Sequence, residues 1–250
     1  NTEKLLTEAQ DALSTPSNVY GMFSNADLEF EDAIDKDGQA YPLTQGTFIK
    51  YLESDDRELR ASAFRNVYKA YGAHNNTLGA TLAGEVKKNV FNARTHHYRS
   101  ARERALSNNH IPEAVYDNLI KTVHKYLPLL HRYTKLRQEL LGLDDLKMYD
   151  LYTPLVKDVK FEMPYEEAKS WMLKALEPMG EEYLNVVKKG LDNRWVDVYE
   201  NKGKRSGGYS SGAHLTNPFI LLNWSDTVSD LYTLVHEFGH SAHSYFSRQN

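Results

Sequence analysis

The chain has 250 residues and a formal net charge of −4, which gives no electrostatic reason to expect a nucleic-acid partner. Hydrophobic residues at 41% and charged residues at 26% are the balance of a globular protein with a sizeable core, and no apolar run approaches the roughly 20 residues that span a membrane. There is no cysteine, so disulfides and thiolate metal sites are excluded, any metal must be held by His or carboxylate, and a cytoplasmic location fits.

Residues 17–50 are the least helical stretch, broken by Gly21, Gly38, Pro42 and Gly46. Phe30, Ile34, Tyr41, Leu43 and Phe48 predict short strands or turns there. The acids from Asp27 to Asp37 form a solvated face, since Asp32-x-x-Asp35-x-Asp37 lacks the oxygen spacing of a calcium loop. Ser54 is the expected cap of a helix with Asp55 and Asp56 in its first turn, carried by Leu59, Ala63, Val67 and Tyr71 and ended by Gly72. Leu78, Leu82, Val86, Val90 and Ala93 mark a second long helix. His96-His97 near its end suits the C-terminal dipole, with metal binding as the alternative. A third helix opens at Ile111-Pro112-Glu113 with Pro at its first position, and Pro128 is expected to kink or divide it before Gly142. His124 and His131 flank that proline as packing or surface residues. Tyr149 to Val159 reads as a loop or short strand. Pro164 starts a further helix through Trp171, Leu173 and Leu176, and another short one runs to Gly190.

Residues 195–224 break the helical pattern. Trp195 to Tyr199 alternates as a strand does, a glycine-rich run follows from Gly203 to His214, and Phe219-Ile220-Leu221-Leu222 is apolar. Neither phosphate-loop spacing is present, so a small sheet is the better account. An edge strand of small residues could pair with a peptide backbone, which makes Gly212, Ala213 and His214 candidate substrate-binding residues. An ordinary glycine-turn hairpin is the alternative.

The last predicted helix carries the chemistry. Thr227-Val228-Ser229-Asp230 has the pattern of a capping box, and Val228, Leu231, Val235, Phe238, Ala242 and Tyr245 form an apolar stripe. His236-Glu237-Phe238-Gly239-His240 places two imidazoles four residues apart on one face, within reach of one metal ion. Glu237, about 100° round, can meet a water on that metal. Two nitrogen ligands, an open coordination position and a general base describe a zinc hydrolase. His243 lies about 10.5 Å along the axis from His236, too far to share the ion, and is assigned to the surroundings of the site. The H-E-x-x-H-x-x-G-x-x-H class needs Gly at 243 and His at 246, where this chain has His243 and Phe246. Gly239, unfavourable in a helix, is tolerable if another backbone or a substrate comes close. Glu181 and Glu182 are weak candidates for a third ligand. The expectation is that it lies beyond Asn250, in a chain that starts without Met and reads as a fragment of a longer polypeptide.

Four motifs together resemble the oligoendopeptidase F group of the thimet-oligopeptidase-like zinc peptidase family. They are His236-Glu237-Phe238-Gly239-His240-Ser241-Ala242-His243-Ser244, Gly203-Lys204-Arg205-Ser206-Gly207-Gly208-Tyr209-Ser210-Ser211-Gly212, Thr216-Asn217-Pro218-Phe219-Ile220-Leu221-Leu222-Asn223-Trp224, and Tyr149-Asp150-Leu151-Tyr152. The resemblance runs from about Ser54 to the end. It implies a mainly helical fold enclosing a deep channel, with a small sheet beside the metal-binding helix. It also implies one zinc ion held by His236 and His240, Glu237 as catalytic base, and short peptides as substrates inside cells. In such enzymes a glutamate on a following helix completes the metal site, and a tyrosine is expected where this chain has His214. On this basis residues 51–250 are the first part of the catalytic domain and 1–50 belong to an N-terminal lobe or connector. Two other possibilities stand beside it: a non-catalytic fragment, and a helical peptide-binding scaffold that binds metal weakly or not at all.

Overall fold

The computed structural model describes residues 2–156, 161–201 and 203–248. In chain order the elements are α1 (Thr2–Leu13), α2 (Thr15–Met22) running into a π-helical turn (Phe23–Asp27), β1 (Ala33–Ile34), β2 (Ala40–Tyr41), α3 (Phe48–Leu52), α4 (Arg57–Gly72) and α5 (Asn75–Thr95). There follow α6 (Ala101–Ser107), α7 (Glu113–Leu141), α8 (Tyr165–Ala175), α9 (Glu181–Asp192), β3 (Val196–Tyr199), β4 (Tyr209–Ser211), β5 (Phe219–Trp224) and α10 (Val228–Ser247). The protein is mainly helical with a small sheet next to the helix that carries His236 and His240, the class its sequence predicts. Two compact units divide the chain, Asn1–Glu31 with Phe64–Leu155 and Asp32–Ala63 with Val156–Asn250.

In the first unit α7 is one continuous helix of 29 residues despite Pro128. The proline removes one hydrogen bond, which costs about 3 kcal/mol but does not divide a helix with intact turns on both sides. Pro112 is the N-cap rather than the first helical residue, and Gly142 closes the other end with φ of 65°. Below that cap, Arg137 is buried and donates from Nη2 to the carbonyls of Asp150 (3.2 Å) and Thr153 (2.5 Å). The Asp150 carboxylate is fully buried and accepts from the Lys147 amide at 2.9 Å, so Tyr149-Asp150-Leu151-Tyr152 forms a latched turn rather than a strand. Residues 157–159 of that predicted segment lie outside the described residues. Leu119, Val123, Leu130 and Leu136 of α7 are exposed.

The second unit contains the sheet and α10. Asp35, read from sequence as part of a solvated acidic face, instead builds the β1–β2 turn. Its carboxylate accepts from the amides of Asp37 (2.9 Å) and Gln39 (2.8 Å) and from the Tyr41 hydroxyl (3.0 Å). Likewise Asp56, not Ser54, caps α4, accepting from the amides of Glu58 (2.9 Å) and Leu59 (3.3 Å). Asp is as good a cap as Ser, and two residues of register separate them.

The three-stranded sheet has the order β3-β5-β4, with β3 parallel and β4 antiparallel to β5. Central β5 turns Ile220, Leu222 and Trp224 into a core with Met163, Met172, Val187, Trp195, Leu234 and Phe238. Gly190 on α9 is where that core is tightest: a Cβ there would lie 2.7 Å from both the Phe238 and Trp195 rings. The Trp224 indole donates to the Met163 carbonyl and the Asp226 carboxylate, each at 3.1 Å, and Tyr165 packs edge-on against its ring with centroids 5.3 Å apart. Burial pushes the Tyr165 phenol up to about 12, with a smaller contribution from the Glu166 charge.

Candidate metal centre

The capping box at the start of α10 forms as predicted. Thr227 Oγ1 accepts from the Asp230 amide at 3.2 Å, and Asp230 Oδ2 accepts from the Thr227 amide at 2.9 Å. The same Oδ2 takes the Thr227 and Ser225 hydroxyls and the Ser225 amide, fixing the turn from β5 into the helix. The buried face is Leu234, Glu237, Phe238, Ser241 and Ala242. Val228, expected on the apolar stripe, is exposed, while Leu234 and the polar Ser241 are fully buried. The face is thus turned slightly from the periodicity of apolar residues, because Ser241 meets a hydroxyl on the sheet at Ser210.

On the opposite side His236, His240 and His243 form the exposed stripe anticipated from their spacing. The Nε2 atoms of His236 and His240 lie 3.0 Å apart, with ring centroids at 4.7 Å and planes at 77°. A zinc ion 2.0–2.1 Å from both at a tetrahedral angle would hold them roughly 3.3–3.4 Å apart, so a few tenths of an ångström of opening seats the ion. Glu237 is 7% exposed, and its carboxylate accepts no hydrogen bond from a described residue. A packed carboxylate without a donor calls for a cation or a water proton. The donor chemistry and this orphaned acid therefore fit a metal at the histidine pair.

Among the described residues no group of three His, Asp or Glu side chains converges on one point. Glu181 and Glu182 are exposed in the first turn of α9, away from any such cluster. His96 and His97 do not form one either; His96 Nδ1 bonds the Asn92 carbonyl of its own helix at 2.8 Å.

A model of peptidase family M3 matches residues 50–250. The chain belongs to peptidase family M3. It is 58% identical over 248 residues to oligopeptidase PepF of Bacillus subtilis, covering 99% of this chain and 37% of that protein. It is 49% identical over 250 residues to group B oligopeptidase PepB of Streptococcus agalactiae, covering 100% of this chain and 41% of that protein. The crystal structure of oligoendopeptidase-F from Enterococcus faecium is similar at a TM-score of 0.65 and 39% identity, over 98% of this chain and 38% of that one. The chain thus spans about two fifths of the length of these family M3 relatives.

In this M3 chain the second predicted group of residues follows β4 directly. Gly212, Ala213 and His214 are exposed in the turn after the strand. Arg248, just past α10, donates to the carbonyls of Gly212 and Thr216, both at 2.8 Å, holding that turn against the helix. β4 pairs with β5 on one side, and no described residue pairs with its other edge. Gly239 has nothing within 4 Å of where its Cβ would stand, so open space lies beside the helix at that position. The Ser210–Ser241 and Arg248 contacts carry no signal in the sequence, since each joins residues 31 or more positions apart.

Proposed function

We propose that this chain supplies the metal-binding helix and general base of a cytoplasmic zinc endopeptidase that hydrolyses short oligopeptides. The supporting observation is the exposed His236–His240 nitrogen pair at 3.0 Å beside the packed, undonated Glu237 carboxylate. When bound, one zinc ion would activate a water toward pKa of about 7 and polarise the substrate carbonyl. His236 and His240 would hold the ion through Nε2. Glu237 takes the proton of the attacking water and returns it to the leaving amine. The free edge of β4 aligns the substrate backbone, with Gly212, Ala213 and His214 at its end and His243 on the cleft wall. Membership of family M3, and relatives named oligopeptidases, support peptide hydrolysis as the activity.

Because two histidines alone form a weak site, a second reading has support: this chain by itself is non-catalytic and gains turnover only with further ligands. Both are tested on the chain and on an extended polypeptide containing it, by zinc analysis and a quenched fluorescent peptide. Glu237→Gln in the extended form should keep zinc and lose about 10²–10⁴-fold in turnover. Near-full activity in that variant would remove the base assignment.

A further inference from the structure

A cavity of about 230 Å³ lies in the second unit at the N-terminal end of α10. Its walls include Glu53 just past α3, Gly208 just before β4, Asn223 on β5, and Ser229 and Thr233 on α10. Ser229, Thr233, His236 and His240 succeed one another at spacings of four, three and four, so they share one face of the helix. At 1.5 Å per residue, Thr233 and Ser229 stand about 4.5 and 10.5 Å along the axis from His236. An extended peptide advances roughly 3.3 Å per residue, so this cavity would receive a group one to three residues from the cleaved bond. Its volume is below the roughly 300–1,000 Å³ of sites that enclose a whole small ligand and suits one side chain or chain end.

Its charges define the occupant. Asp230 is committed to the helix cap, where its Oδ2 is surrounded by donors. Glu53 is half-buried and accepts no hydrogen bond or ion pair from a described residue. Burial, and then the nearby Asp230 charge, hold its carboxyl above the ordinary value, the mark of an acid lacking a counter-charge. Asn223 spends its amide N–H groups on the carbonyls of Arg205 (3.0 Å) and Gly207 (2.9 Å), while its Oδ1 is buried without a donor. Lys50, the one cation among the described residues of the lining, is exposed and makes no ion pair with Glu53. Resting on the peptidase reading, we propose that this cavity is a substrate subsite in which Glu53 binds a cationic group of the peptide, an ammonium or guanidinium.

Calorimetric titration of the chain with amidated hexapeptides tests this, using Lys, norleucine or Glu at each position in turn and a free or acetylated N-terminus. A Lys peptide should bind about tenfold tighter than its norleucine twin, the ratio that about 1.4 kcal/mol of charge-assisted bonding gives. Glu53→Gln should erase that ratio and leave norleucine affinity unchanged, and Glu53→Lys should favour Glu. If acetylation alone removes the preference, the occupant is the chain's own ammonium; if only the side chain matters, it is Lys or Arg. A preference absent in the wild type, or surviving Glu53→Gln, overturns the subsite. Hydrolysis of the same peptides by the extended polypeptide is scored separately. Charge-selective binding without turnover sinks the peptidase reading alone, and turnover without Glu53-dependent selectivity sinks the subsite alone.

Discussion

Ser210 Oγ on β4 and Ser241 Oγ on α10 lie 2.8 Å apart, and this contact ties the strand with the free edge to the helix that carries the histidine pair. Ser241 also points its hydroxyl toward the Pro218 carbonyl at 3.4 Å. This hydroxyl pair helps to fix the spacing between β4 and α10. Ser210→Ala and Ser241→Ala should each destabilise the chain by about 1 kcal/mol, and the double variant by less than the sum. Urea denaturation of the four species measures the coupling, and strict additivity would show that the hydroxyls do not interact.

Zinc should stabilise the folded chain, because the pair of nitrogens at 3.0 Å exists only while α10 is formed. At a free concentration 100 times the dissociation constant the gain is about 2.7 kcal/mol, seen as a rise in melting temperature. His236→Ala or His240→Ala should abolish that rise, whereas His243→Ala should keep it. An undiminished rise in His236→Ala would place the metal elsewhere.

Two glycines of the second unit should respond oppositely to a methyl group. Gly190→Ala drives a Cβ to 2.7 Å from the Phe238 and Trp195 rings and should cost about 1–3 kcal/mol. Gly239→Ala meets open space and should stabilise the helix by up to about 1 kcal/mol. Thermal melts of the two variants decide.

The Tyr165 phenol, raised to about 12 by burial, stays protonated in the folded chain at pH values where an unfolded tyrosine near 10 has begun to ionise. Its contribution is complete below pH 10 and is lost as pH climbs from there to about 12, because only the unfolded state gives up the proton in that window. Tyr165→Phe should flatten the stability curve across it. An unchanged slope in urea midpoints between pH 10 and 12 would contradict the shift.

Local signals in the sequence were enough for α10, for β3 and β5, and for the histidine stripe, because spacing, capping and alternation lie within a few residues of one another. Pro112 and Gly142 bracket α7 for the same reason. α6 was missed although Ser100 caps it by accepting from the Glu103 amide at 3.0 Å, a pattern written in Ser100-x-x-Glu103. α2 was hidden by Pro16 and Gly21, yet proline is at home in a first turn. Ser241 could not be placed in the core by counting apolar residues, because its burial depends on a hydroxyl partner 31 positions away. The cavity at Glu53 was beyond reach for a stronger version of that reason: residues about 180 positions apart meet there, and no short motif records the meeting.

The two sides of α10 answer to different pressures, and saturation mutagenesis would separate them. Replacements at Leu234, Phe238 and Ala242 should lower abundance in cells through loss of folded protein, whatever the substrate. Replacements at His236 and His240, on the exposed side, should leave the metal-free fold intact and remove only the gain in stability that zinc confers. Glu237 falls between the two series, packed like the first and proposed to act in the chemistry with the second. Its conservative amide variant should therefore accumulate to higher levels than the wild type, because a neutral amide costs less to pack than a carboxylate without a donor.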